Sequence, residues 1–174
     1  MISRRNFLKV VVGGLTVYPF KNVLASNNKS ERILNMYNIH TGERLDIKYY
    51  DSGIYDPHAM NKINYLLRCH YTDEVKDIDM RVIDLLCDIK DIFGRDRKVE
   101  IISGYRSTLY NRYLRSLGRG VGRNSLHQSG LAIDFKILGI SNDKLSRIAR
   151  SFKAGGVGRY PEFIHIDTGP VRSW

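Results

Sequence analysis

The sequence predicts one α+β domain, a small antiparallel sheet flanked by helices, on three observations. First, 174 residues with 43% hydrophobic content suffice for one real core and make a second domain unnecessary. Second, Ile33 to Ile39 and Leu45 to Tyr50 are strand-like runs on either side of Thr41-Gly42, which reads as a hairpin. Third, two stretches carry apolar residues at helical spacing. Ala59 to Cys69 presents Ile63, Leu66 and Leu67, and the stretch after Asp79 presents Val82, Ile83, Leu85, Leu86, Ile89 and Phe93. Asp79 is placed to cap the second of these helices.

The remaining elements follow in order. Val99 to Ser103 reads as a buried strand ending in the turn Ser103-Gly104-Tyr105-Arg106-Ser107, and Ser107 or Thr108 can cap a helix that runs to Leu117 before Gly118. Arg106 therefore sits at a strand-to-helix junction, where side chains commonly project into a cleft. The run Gly118 to Arg123 has Gly-x-Gly spacing but follows a helix and opens none. It reads as a mobile basic loop rather than a phosphate loop. Leu131 to Ile137 alternates like a short strand. Ser141 and Lys144 to Phe152 form the last helix, and Gly155-Gly156 ends it and returns the chain. Phe163 to Asp167 alternates so that His165 and Asp167 share a face. There is no internal repeat and no low-complexity linker.

The N-terminus pairs Arg4 and Arg5 ahead of a short, glycine-containing apolar run and ends in Val23-Leu24-Ala25. That pattern resembles a twin-arginine export signal cleaved after Ala25. The expected organisation is a signal peptide at 1–25, a flexible polar leader at 26–32 and one domain at 33–174. The run is far shorter than the roughly 20 apolar residues of a spanning helix, so no membrane span is expected after cleavage. The expected partner is the twin-arginine export machinery and the expected location is the periplasm. Removal of the signal takes away four basic residues and no acidic one, lowering the formal charge of +10 to about +6. That charge favours an anionic partner, but no nucleic-acid recognition motif is present. Cys69 and Cys87 fall in separate expected helices without metal-type spacing and read as semi-buried thiols; their pairing depends on a Cα separation that the sequence does not give.

The chemistry concentrates in Ser125-Leu126-His127-Gln128-Ser129-Gly130-Leu131-Ala132-Ile133-Asp134 and in Glu162-Phe163-Ile164-His165-Ile166-Asp167. His127, Asp134 and His165 can supply two imidazole nitrogens and a carboxylate oxygen to Zn²⁺ and leave a position for water, the composition of a catalytic zinc site. His40, His58 and His70 lie outside these segments and read as ordinary surface or core residues.

His127 followed by Asp134, with Gly130 and Ala132 between them, Glu162-x-x-His165 and the upstream Ser-Gly-Tyr-Arg-Ser together resemble the D-Ala-D-Ala metallopeptidase group, which shares its fold with the hedgehog signalling domain. Within that group the tail from His165 to Trp174, Gly155-Gly-Val-Gly158 and Ile63-Asn-Tyr-Leu-Leu-Arg68 resemble the YcbK-like murein endopeptidases. The resemblance implies a hedgehog/DD-peptidase-like single domain and zinc-dependent hydrolysis of peptide cross-links in peptidoglycan. It also implies a substrate-binding or oxyanion-stabilising role for Arg106. A carboxylate must carry the water's proton, and Glu162 and Asp167 compete for that role. Glu162 matches the Glu-x-x-His pattern of the wider group and ranks slightly ahead, yet it has the opposite strand parity to His165. Asp167 has the right parity and can instead orient a ligand. The tail residues Arg172 and Trp174 can line the groove or pack. Two other readings stay open: a D,D- or L,D-carboxypeptidase acting on stem peptides, and a non-catalytic zinc-containing cell-wall binding module.

Overall fold

Alternation along the first strand, β1 (Glu31–Asn38), turns Arg32, Leu34, Met36 and Asn38 to the buried side, as a period of two requires. In the computed structural model, which describes residues 30–174, Glu31 and Arg32 already pair with the next strand. The expected leader therefore ends earlier than residue 32, and the signal segment 1–25 lies outside the described residues. The antiparallel partner β2 (Arg44–Asp51) continues into the short β3 (Ile54–Tyr55). Pro57 opens α1 (Pro57–Leu66) behind the Asp56 cap, and Asp79 caps α2 (Met80–Phe93) by accepting from the Arg81 N–H at 2.8 Å.

From α2 the chain returns as β4 (Val99–Ser103), which lies parallel to β1; the two intervening helices supply the crossover that parallel neighbours need. Ser107 caps α3 (Thr108–Ser116). A 3₁₀ turn (Leu126–Ser129) leads into β5 (Ala132–Ile137), α4 (Asn142–Ser151) follows, and β6 (Gly156–Arg159), β7 (Ile164–Asp167) and β8 (Arg172–Ser173) finish the chain.

The strands form one sheet in the order β3-β2-β1-β4-β5-β7-β6-β8. The α+β class holds, but the sheet is larger than expected and mixed, because β6 and β8 also pair in parallel. The unexpected strands β3, β6 and β8 are two to four residues long, too short to show a period. One core joins the sheet to α1, α2 and α4 through Leu34, Ile63, Ile83, Leu86, Ile89, Ile101, Phe135, Leu145 and Ile166. Each fully buried side chain of this size contributes about 1.5–3 kcal/mol. By contrast, Asn111 is the only buried residue of α3. Cys69 lies just beyond α1 rather than within it, and both cysteines are fully buried rather than semi-buried.

Candidate metal centre and active-site cavity

Strand register builds most of the site. In the antiparallel pair β5·β7, Asp134 stands directly opposite His165, and Ala132 opposite Asp167. Directly opposed residues on one face come within side-chain reach, and the His165 Nδ1 lies 2.8 Å from Asp134 Oδ1. The third member arrives from the 3₁₀ turn. His127 is fixed there by Gly130, whose left-handed φ of 69° ends the turn, a conformation that costs glycine little. The same turn is bound to α2 by the Asp79 N–H donating to the Gly130 carbonyl at 2.9 Å. His127 Nε2 ends 3.2 Å from both His165 Nδ1 and Asp134 Oδ1. One ligand atom from each of the three residues lies within 4.8 Å of the others, and all three residues are buried.

Neighbouring groups set both imidazole tautomers. His127 Nδ1 lies 2.8 Å from the Gly104 carbonyl oxygen, which can only accept, so Nδ1 carries the proton and Nε2 keeps its lone pair. His165 Nε2 lies 2.9 Å from Asp167 Oδ2; it donates to that carboxylate, and Nδ1 keeps its lone pair. Two imidazole lone pairs and a carboxylate oxygen therefore face one another. Such an arrangement repels itself unless a cation stands between the atoms. Two nitrogens and one oxygen also match the ligand softness of a first-row divalent metal, so the residues present fit a metal ion.

Ionisation agrees. Burial pushes the Asp134 carboxyl up, but His127 and His165 beside it outweigh that and hold it well below the usual carboxylate range. Burial likewise raises Asp167, and hydrogen bonds from His165, Arg172 and the N–H groups of Gly156 and Gly169 overcome it in the same direction. For His165, burial lowers the imidazole pKa, while Asp134 and Asp167 win and raise it, so that without a metal a proton on Nδ1 takes the place of the cation between these atoms.

Asp167 is fully enclosed. Arg172 grips it with both terminal nitrogens, at 3.1 Å to Oδ1 and 2.7 Å to Oδ2, and the Gly156 and Gly169 N–H groups donate to Oδ1 at 3.0 and 2.8 Å. Such a carboxylate orients its imidazole and has no free lone pair aimed at solvent. Glu162, by contrast, is exposed and does not line the cavity over the cluster. The expected ranking of Glu162 ahead of Asp167 as proton carrier does not match this geometry: the chain around Pro161 leaves Glu162 outside, and Asp167 is saturated. The orienting role weighed for Asp167 is the one its contacts support.

Arg106 is buried and lines the cavity, with Nη2 3.4 Å from Ser103 Oγ and 3.5 Å from Asp134 Oδ2, and its Nε–H has no partner among the described residues. The cavity measures about 430 Å³ and opens between two unlike walls. One is the loop Arg119 to Gly122, within the basic run read from sequence. The other is aromatic: Tyr160 and Phe163 stack at 4.7 Å, and the Trp174 indole donates to Tyr160 Oη at 2.9 Å and lies 5.3 Å from the His165 ring. Gly158 makes room for that indole, since a Cβ there would meet it at 2.7 Å. Ser125 also lines the cavity, and its side chain makes no capping bond to the 3₁₀ turn. The aromatic wall was not legible in advance. Only Trp174 drew attention, with packing an equal reading, because Tyr160 and Phe163 flank a proline turn without periodicity.

The family described as "Peptidoglycan L,D-endopeptidase MepK" matches residues 26–174. The chain belongs to that family. Among its members, the peptidoglycan L,D-endopeptidase MepK of Escherichia coli (strain K12) is 37% identical, over 99% of this chain and 97% of that protein. The probable peptidoglycan L,D-endopeptidase MepK of Haemophilus influenzae is 38% identical, over 99% of this chain and 95% of its own length. No solved structure matches significantly. This family is the YcbK-like group that the sequence motifs resemble, and its match takes in the metal cluster, Arg106, the basic loop and the aromatic wall.

Proposed function

We propose that the chain is a zinc-dependent peptidoglycan endopeptidase that hydrolyses peptide cross-links, with His127, Asp134 and His165 as the metal ligands. The observation that carries this reading is the convergence of His127 Nε2, His165 Nδ1 and Asp134 Oδ1 at the floor of an open cavity, in a chain whose relatives are named L,D-endopeptidases. The bond is then an amide between an L and a D centre, such as the link between two diaminopimelate residues that the family resemblance implies.

When bound, the zinc ion supplies an electrophile for the scissile carbonyl and acidifies a water. The chain's own residues hold and orient that site. Asp167 holds the proton on His165 Nε2 and so keeps Nδ1 a ligand, and Gly104 does the same for His127. Arg106, which lines the cavity, offers its guanidinium to a substrate carboxylate or to the oxygen on which negative charge develops. The basic loop and the aromatic wall bound a groove that accepts anionic peptide on one side and apolar surface on the other. Asp167 is a positioning residue, and Glu162 takes no step.

Cross-linked muropeptide dimers test the reading. Protein stripped of metal should leave them intact, and zinc-restored protein should convert them to monomers identified by mass. Release of free D-alanine with dimers intact would make the protein a carboxypeptidase, and zinc binding without any cleavage would make it a binding module. No helix among the described residues is long and apolar enough to cross a membrane. We place the enzyme in the periplasm by the twin-arginine route. Lysine at both Arg4 and Arg5 should trap the precursor in the cytoplasm, and undisturbed export of that variant would exclude the route.

A further inference from the structure

Helix α3 leaves its apolar side unused. It buries only Asn111, while Leu109, Tyr113 and Leu117 are each 43–53% exposed. At 100° per residue these three, spaced by four, share one side of the helix, and Arg112 flanks them in the open. An ordinary surface helix turns such a stripe toward the core. Here the stripe runs into a ring ladder that includes the turn after α1: Tyr71 stacks on Tyr110 at 4.9 Å and 14° and on Tyr113 at 5.3 Å and 15°. Tyr71 is itself half exposed, so the ladder carries an open aromatic surface.

The ladder is rigid. His70 Nε2 lies 3.1 Å from Tyr110 Oη, and the His70 ring stacks on His40 at 4.0 Å. The turn itself is pinned by Arg68, which donates to Glu43 at 2.7 Å, to Asp73 at 3.1 Å and to the Tyr65 carbonyl at 2.9 Å. A surface held this firmly binds without an ordering cost. It is also continuous with the catalytic cavity. Arg106, two residues before α3, and Arg119, three residues after it, both line the cavity.

We infer that this face, Tyr71 with the outward side of α3, docks the glycan strand of peptidoglycan beside the scissile peptide. The inference rests on the peptidoglycan reading above. Pyranose rings present flat faces of C–H bonds, which fit the electron-rich faces of tyrosines. Where the stem peptide has been removed, the lactyl carboxyl of muramic acid is a free anion, which suits Arg112 and the neighbouring exposed Arg115. Tyrosines interleaved with arginines favour such a polymer over a lipid surface, which calls for a broader purely apolar face.

Glycan strands stripped of peptide are the direct probe, with soluble cross-linked dimers as the control substrate. The Tyr71→Ala/Tyr113→Ala protein should bind stripped strands on the order of tenfold more weakly than the native protein, and digest intact sacculi correspondingly more slowly. It should cleave soluble dimers at the native rate, and Tyr71→Trp should restore binding. Equal binding by the two proteins, or no binding by the native one, overturns the docking surface. Slower sacculus digestion with unchanged binding to stripped strands would mean that the face reads stem peptide instead. Loss of dimer cleavage in the variant would mean that the rings are structural. Failure of the native protein to cleave dimers at all would fell the peptidase reading instead, while strand binding is scored separately.

Discussion

His127 and His165 turn ring nitrogens to the same point, Nε2 from the first and Nδ1 from the second, yet they are held in different ways. His165 is oriented by side chains, through Asp167 and then Arg172. His127 is oriented by main chain, through the Gly104 carbonyl on a turn that is itself held by the Tyr105 N–H donating to the Leu67 carbonyl at 2.7 Å. The difference teaches where each ligand is vulnerable. A carboxylate support raises the basicity of its imidazole and can be removed by one substitution. A carbonyl support survives every side-chain change that leaves the backbone in place.

The largest contrast should come from breaking each support in turn. Asp167→Asn should lower metal affinity by about 10- to 100-fold with the fold retained, because the amide loses the charge that fixes His165. Gly104→Ala should act on folding first: a Cβ there would lie 2.7 Å from the Leu67 Cβ, and overpacking of this kind costs about 1–3 kcal/mol. Metal titration and thermal unfolding of both proteins separate the two effects. Equal metal affinity in Asp167→Asn and native protein would break the comparison.

A third imidazole sharpens it. His70 meets a tyrosine hydroxyl instead of a carboxylate, and burial, then His40 and Arg106, push its pKa from 6.5 down to about 4. The unfolded chain therefore binds the extra proton more readily. The stability that His70 contributes is complete above about pH 6.5 and is lost as pH falls toward about 4. His70→Gln should flatten the unfolding free energy across that window. An unchanged slope would mean that His70 is not held neutral.

The smallest effect belongs to Glu162. Exposed and off the cavity, it should tolerate Glu162→Gln with turnover within about twofold of native, whereas removing a general base costs about 10²–10⁴-fold. A loss of that larger size would show that Glu162 swings into the site during turnover.

Much of this was legible in residues. Strand period alone placed His165 and Asp167 on one face, and Asp79 and Ser107 were readable as helix caps. Asp134 and His165 required a pairing register that sequence does not state, but their opposition follows once β5 and β7 are neighbours. What stayed hidden is tertiary. The Gly104 support is a carbonyl and has no side-chain signature. Glu162 matched a motif whose geometry depends on the turn at Pro161. The stripe of α3 looks like any core-facing helix until the described residues show Leu109, Tyr113 and Leu117 exposed.

The central claim, that three residues from three segments hold one metal ion, is tested most directly by the metal content of native-purified protein. The native chain should carry a single equivalent of zinc, and His127→Ala, Asp134→Ala and His165→Ala should each lose both the zinc and dimer cleavage while remaining folded. Full zinc occupancy and undiminished cleavage in His165→Ala would contradict the account.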